Sequence, residues 1–215
     1  MKTNKIIVFD CDGTLLNTFP LIMESFRRTF KEFIPEHNLT EDELVSFFGP
    51  SLRLTFSKYV SEDKVDYVME EYRKISRRLM PTWTRAFPGI VDLLDYLYEK
   101  NYRISILSNK AYDMIMYGLE LTRIDRYFDI VIGYDQMDNP KPSPDGINVI
   151  KRYYHQDNNI YLIGDTAIDI LTGKNATNVK TVGVTWCNTK YEEFKKLGAD
   201  YIINHPLELI NILEE

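Results

Sequence analysis

From Pro88-Gly89 to its end the chain alternates between two periods, and that alternation decides its fold class. Apolar runs at 103–108, 129–132, 160–164, 179–185 and 200–203 have the length of buried strands. Helical spacing occupies 89–100, 111–120, 143–154, 167–177, 189–197 and 206–214. Strands that alternate with helices pair in parallel and carry helices on both faces. The expected fold class is therefore α/β, a doubly wound parallel sheet. Ile6-Ile7-Val8-Phe9 reads as a further strand near the start.

Between that first strand and residue 89 the pattern is helical, with almost no strand signal. Leu21, Ile22, Ser25, Phe26, Thr29, Phe30 and Phe33 recur at i, i+3, i+4 spacing. Thr40 and Glu43 have the spacing of a capping box. Ser61-Glu62-Asp63 starts another helix with acids in its first turn. Pro81 and Pro88-Gly89 then punctuate the chain. The expected organisation is a core domain of 1–16 plus 86–215 and a small helical domain of 17–85 inserted after the first strand, with hinges near 15–19 and 81–88.

The first strand ends in Asp10-Cys11-Asp12-Gly13-Thr14. Side chains at i and i+2 of a strand point the same way, so Asp10 and Asp12 are expected to project together where open α/β sheets bind ligands. Two carboxylates that close repel unless a cation stands beside them, and Mg²⁺ suits hard oxygen ligands. A polar turn after a strand accounts for the dipeptide equally well, so other strand ends have to decide. Ile104–Leu107 runs into Ser108-Asn109-Lys110. Asn139-Pro140-Lys141-Pro142 follows the next strand, and Ile160–Ile163 runs into Gly164-Asp165-Thr166-Ala167-Ile168-Asp169.

Asp-x-Asp-Gly-Thr, Ser-Asn, Lys-Pro and Gly-Asp-x-x-x-Asp, in this order, resemble the four motifs of the haloacid dehalogenase-like (HAD) superfamily. The resemblance covers residues 5 to about 205, and the helical insertion is similar to the small cap of that superfamily. It implies a Mg²⁺-dependent phosphatase that forms an aspartyl-phosphate. Asp10 is then the nucleophile, with Asp12 as general acid/base that also offers its backbone carbonyl to the metal. Asp12 argues against carbon–halogen chemistry, because the dehalogenase branch has no acid there. The Ser108 hydroxyl and the Asn109 backbone amide would donate to the transferring phosphoryl group, although both residues also suit a helix N-cap. Lys141, held among prolines, would stabilise phosphate and Asp10 charge. Asp165 would be the second carboxylate on the metal, and Asp169 would orient a ligand water or Lys141. Cys11 reads as a small spacer between the two acids. Lys110 taken alone reads as a surface residue. Asn17-Thr18 and Thr177-Asn178 depart from the Asp-Ser and Ala-Gly common in relatives, without touching the chemistry.

Substrate choice is expected in the insertion. Phe47-Phe48-Gly49-Pro50-Ser51-Leu52-Arg53 resembles a segment of phosphoglycolate phosphatase-like and of nucleotidase- or pyrophosphatase-like members. Arg53 suits an anionic leaving group and equally suits a solvated helix charge; Thr14 is a second specificity candidate. Arg73, Lys74, Arg77 and Arg78 read as a solvated basic face. Residues 16–87 carry 11 basic and 11 acidic residues, so the net charge of −6 resides in the remainder of the chain. An acidic balance argues against a nucleic-acid footprint. The 2 cysteines, far apart, exclude a disulfide scaffold or zinc knuckle. His37, His155 and His205 have no ligand spacing, and there is no phosphate-binding Gly-rich loop. Without a signal-peptide core or an apolar run of membrane length, a cytoplasmic location is expected. The partner expected is a small phosphorylated metabolite, with neither nucleic acid nor membrane, on a monomer or homodimer. Phosphoglycolate is the first substrate expectation. The alternatives are a β-phosphoglucomutase-like mutase, a pyrophosphatase or 5′-nucleotidase and, last, a non-catalytic phosphoryl acceptor.

Overall fold

In a computed structural model the protein is described over residues 4–214. In chain order its elements are β1 (Ile6–Phe9), β2 (Leu16–Asn17), α1 (Phe19–Phe33), α2 (Glu41–Ser46), α3 (Leu52–Phe56), α4 (Glu62–Trp83), β3 (Arg85–Ala86), α5 (Ile90–Glu99), β4 (Arg103–Leu107) and α6 (Tyr112–Thr122). There follow β5 (Ile130–Ile132), α7 (Asp145–Tyr154), β6 (Ile160–Gly164), α8 (Ala167–Asn175), β7 (Val179–Val184), α9 (Tyr191–Leu197), β8 (Tyr201–Ile203) and α10 (Glu208–Glu214). Two compact units result, one holding the residues up to Asn17 and from Arg85 onward, the other Thr18–Thr84.

The first unit is built on a six-stranded sheet in the order β5-β4-β1-β6-β7-β8, with every pair parallel. β1 lies between β4 and β6, with Phe9 opposite Ile106 on one side and Ile163 on the other. Its four residues are fully buried because each face of the sheet is covered. Ile7 and Phe9 pack with Ile90, Leu94 and Leu97 of α5, Ile115 and Leu119 of α6 and Leu209 of α10. Ile6 and Val8 point the other way and pack with Ile147 and Ile150 of α7. Each such aliphatic side chain contributes about 1.5–3 kcal/mol through burial. The chain order reverses at β1, and the carboxyl ends of β1, β4 and β6 therefore open onto the crevice where such sheets bind ligands.

Two elements had no sequence signal. β2 and β3 form an antiparallel ribbon two residues long, pairing Leu16 with Ala86 and Asn17 with Arg85. Strands that short show no period, yet this pairing makes the inserted segment leave and re-enter the first unit at one place. Short 3₁₀ turns at Asp125–Tyr127 and Tyr134–Gln136 flank β5.

The second unit is helical and has its own core. Phe26 and Phe30 of α1 meet Phe47, Phe56, Tyr59 and Tyr72, with Phe26 centred 4.6 Å from Tyr72 and 4.7 Å from Phe47. Ser25 and Thr29 belong to that buried face because their hydroxyls donate to the carbonyls of Leu21 (2.7 Å) and Ser25 (2.8 Å), four residues back. The capping box opens α2: Glu43 N donates to Thr40 Oγ1 at 3.2 Å and Thr40 N to Glu43 Oε2 at 2.9 Å. Pro81 does not punctuate the chain as expected; it lies inside α4, which continues to Trp83. So close to the helix end a proline forfeits one ladder hydrogen bond with few left to disrupt. Among the described residues no helix is long and apolar enough to cross a membrane.

Candidate active site

β1 ends at Phe9, and Asp10 follows it with its amide still donating to Ile163 O of β6 at 2.8 Å. Its carboxylate is buried (7% exposed). Lys141 Nζ stands 3.0 Å from Asp10 Oδ1. That approach is a charge-assisted contact between two buried groups. Burial pushes the Asp10 carboxyl up to about 6; Lys141 opposes the rise, while Asp169 and Asp12 add to it.

Beyond Asp10 the chain turns away. Gly13 has φ +79°, and a Cβ there would stand 2.1 Å from Asp165 Oδ2, so only glycine fits. Leu15 N and Leu16 N both donate to Cys11 O at 3.0 Å, and Trp186 Nε1 donates to Thr14 O at 3.1 Å. Thr14 is fully buried and its hydroxyl donates to Asp165 Oδ1 at 3.2 Å. The expectation that Thr14 selects substrate is thereby corrected: it orients Asp165. Cys11 is fully buried, and its thiol is pushed well above the ordinary value by burial first and Asp12 second. It is a spacer rather than a reactive thiolate.

Asp165 and Asp169 come from the end of β6 and the first turn of α8. Burial, then Asp10 and Asp169, push the Asp165 carboxyl far up. Asp169 Oδ2 accepts from Thr166 N (3.0 Å) and Thr166 Oγ1 (2.7 Å), while its Oδ1 accepts from Lys141 Nζ (2.6 Å). Gly164 makes room for this carboxylate, since a Cβ at that position would stand 2.2 Å from Asp169 Cγ. Burial alone would lower the Lys141 ammonium, but Asp10 and Asp169 outweigh it and hold the group above its ordinary range.

Asn109 is placed by the turn after β4, and its side chain clasps the lysine loop. Lys141 N donates to Asn109 Oδ1 at 2.8 Å, and Asn109 Nδ2 donates to Lys141 O at 3.0 Å. Ser108 is buried beside it, its amide donating to Ile132 O at 3.0 Å. Lys110 is not the surface residue that its sequence context suggested. It reaches Asp12, with Nζ donating to Oδ1 at 2.8 Å. No sequence signal announces that contact, which joins residues 98 positions apart. Trp186 was also missed; its position just beyond β7, at the carboxyl end of a parallel strand, could have flagged it. Arg53, the other specificity candidate, is an exposed charge on the helical unit. Its guanidinium is paired with Glu62 at 2.8 Å and with Asp66.

Asp10, Asp165 and Asp169 offer oxygens within 4.8 Å of one another, a grouping able to hold a metal ion. The Asp12 carboxylate lies outside it, turned to Lys110. The donors are all hard oxygens, which suits a divalent cation such as Mg²⁺. Burial and mutual repulsion raise the Asp10 and Asp165 carboxyls, a cost that a bound dication would offset.

A parallel sheet with a helical insertion after its first strand, and with acids and lysine gathered at the switch point, defines a hydrolase of the haloacid dehalogenase-like class. The family model described as "Haloacid dehalogenase-like hydrolase" matches residues 7–184, and the chain belongs to that family. Over 99% of both chains it is 35% identical to a Listeria monocytogenes protein named "Pyrophosphatase PpaX". A haloacid dehalogenase-like hydrolase from Streptococcus pneumoniae superposes with a TM-score of 0.86 over 97% of this chain and 98% of that one, at 25% identity. A Haemophilus somnus structure named a "predicted phosphoglycolate phosphatase" gives 0.84 over 97% of both, at 20% identity. The last likeness shows the fold alone.

Proposed function

We propose that the protein is a Mg²⁺-dependent phosphatase that works through an aspartyl-phosphate and takes inorganic pyrophosphate as its preferred substrate. The observation that carries the class is the buried Asp10 carboxylate, 3.0 Å from Lys141 Nζ and grouped with Asp165 and Asp169 oxygens able to hold a metal ion. Pyrophosphate displaces the phosphoglycolate expected from the sequence. The support for it is the pyrophosphatase name of relatives 34–35% identical over 99% of the chain, against 20% for the phosphoglycolate-named structure, too distant to inform substrate.

An Asp10 carboxylate oxygen attacks phosphorus, and the bond from phosphorus to the leaving oxygen breaks as the aspartyl-phosphate forms. Asp12 gives its proton to that leaving oxygen. In the second step a water oxygen attacks the same phosphorus and passes its proton to Asp12, and the bond to Asp10 breaks to release phosphate. Lys141, kept in register by the Asn109 clasp and by Asp169, holds positive charge against the transferring group. Ser108 and the Asn109 amide donate to its oxygens. Asp10, Asp165 and the Asp12 carbonyl would hold Mg²⁺, which when bound supplies charge neutralisation to the phosphoryl oxygens.

The test is phosphate release from pyrophosphate, phosphoglycolate, nucleoside monophosphates and sugar phosphates, with and without Mg²⁺. Mg²⁺-dependent release that is fastest from pyrophosphate is expected, with Asp10→Asn inactive and Asp12→Ala slowed about 10²–10⁴-fold. Faster release from phosphoglycolate would restore the first expectation. Isomerised sugar phosphate without net release would make the protein a mutase.

A further inference from the structure

Lys110 is a charged group at the site that the proposed reaction leaves without a task. It is rigidly presented: Tyr134 N donates to Lys110 O at 3.0 Å, Tyr112 N to Asp135 Oδ1 at 2.9 Å, and Ser108 N to Ile132 O. Its ammonium has three donors, and among the described residues its side chain is given one partner, Asp12. Lys141, by contrast, is shared between Asp10 and Asp169.

Exposure separates the two lysines further. The side chains of Lys141, Asp169 and Asp10 are 3%, 0% and 11% accessible, those of Lys110 and Asp12 15% and 19%. The Lys110–Asp12 pair is therefore the more open end of the site. A departing group has to leave by an open end, and the general acid has to stand there. An oxygen protonated by Asp12 lies about 2.6–3.2 Å from that carboxylate. Asp12 is itself 2.8 Å from Lys110 Nζ, which places the leaving oxygen within about 6 Å of a cation with unused donors. A phosphate that leaves from pyrophosphate brings further oxygens closer.

Given the reading of Asp12 as general acid, we infer that Lys110 determines leaving-group specificity: its ammonium binds an anionic leaving group, the departing phosphate of a phosphoanhydride above all. The competing possibility is that Lys110 only keeps Asp12 in place. That role is blind to leaving-group charge: weakened protonation costs a leaving group according to its basicity, so phenyl phosphate would lose at least as much as pyrophosphate.

The experiment compares kcat/KM of the full chain with Mg²⁺ for pyrophosphate and for phenyl phosphate, whose leaving group carries no second anion. Lys110→Met should lose roughly 10–100-fold on pyrophosphate, the range of a charge-assisted hydrogen bond, through KM as well as kcat. The loss on phenyl phosphate should be several times smaller than that on pyrophosphate, and Lys110→Arg should recover most of the pyrophosphate activity. Equal losses on both substrates would overturn the inference and leave Lys110 a positioning residue. Should Lys110→Met fail to fold, Lys110→Gln is read against the same two substrates. A wild type that cleaves phenyl phosphate but not pyrophosphate refutes the pyrophosphate reading on its own. The lysine is then judged on phosphoglycolate, whose glycolate also departs as an anion. A wild type that turns over none of these overturns both.

Discussion

Replacing Asp10 by Asn should stabilise the metal-free protein while abolishing its activity. The magnitude follows from the site. Burial raises the Asp10 carboxyl from 3.8 to about 6, in spite of Lys141 at 3.0 Å. A rise of about 2 units at 1.36 kcal/mol each amounts to about 3 kcal/mol. The sign is set by proton uptake: between pH 4 and 6 the folded protein binds more protons than the unfolded chain, so stability falls as pH rises through that window. Below pH 4 both states carry the proton and the contribution is intact; above pH 6 it is lost. An amide never ionises. Urea unfolding in EDTA should therefore give near-equal stabilities for wild type and Asp10→Asn at pH 4 and favour Asp10→Asn by about 3 kcal/mol at pH 7.5. Mg²⁺ at pH 7.5 should close the gap by stabilising the wild type, which alone keeps the full carboxylate set. A metal-free Asp10→Asn protein less stable than wild type at pH 7.5 would refute the reasoning, since it would mean that attraction to Lys141 outweighs the cost of burial.

Asn109→Ala removes both hydrogen bonds to the Lys141 backbone. It should cost about 2–4 kcal/mol in urea unfolding and lower kcat at least tenfold, the lysine loop having lost its clasp. Gly13→Ala puts a methyl group 2.1 Å from Asp165 Oδ2 at φ +79°. A weakened Mg²⁺ requirement curve, shifted to higher concentration, should accompany a loss of about 1–2 kcal/mol from the backbone conformation. In the helical unit Thr40→Ala removes the capping box of α2 and should cost about 1 kcal/mol by thermal or urea melting, with the core unit's metal response unchanged.

The parallel sheet was legible because its strands are buried on both faces, which leaves continuous apolar runs such as Ile6–Phe9 and Ile160–Ile163. Placing motif residues at strand ends then located the site, and Asp10, Asp165, Asp169, Lys141, Ser108 and Asn109 do gather there. Period-2 reasoning failed at the next step. Asp10 and Asp12 were expected to project together, but the strand ends at Phe9 and Gly13 bends the chain, so Asp10 faces Lys141 and Asp12 faces Lys110. Lys110 was illegible for a related reason: only the turn after β4 and a carboxylate from the neighbouring strand end decide that it is drawn into the site. Thr14 looked like a substrate contact because its hydroxyl sits in the motif, and only the folded turn shows that hydroxyl directed at Asp165.

The divergence of Asp10 and Asp12 explains how one short turn can supply two carboxylates with opposite duties. A nucleophile must be ionised and dehydrated, which is costly; an acid/base must meet both the leaving group and water. Asp10 lies at the end of the central strand, buried beside a lysine shared with Asp169. Asp12, two residues on, has left the strand and keeps its own lysine nearer to solvent. Each acid thus has a cation beside it, Lys141 for Asp10 and Lys110 for Asp12. On this division the reacting phosphoryl group belongs to the Lys141 half and the departing group to the Lys110 half. Exchanging the charge of either lysine should accordingly damage different parts of the substrate profile: Lys141→Met every substrate, Lys110→Met those whose leaving group is an anion.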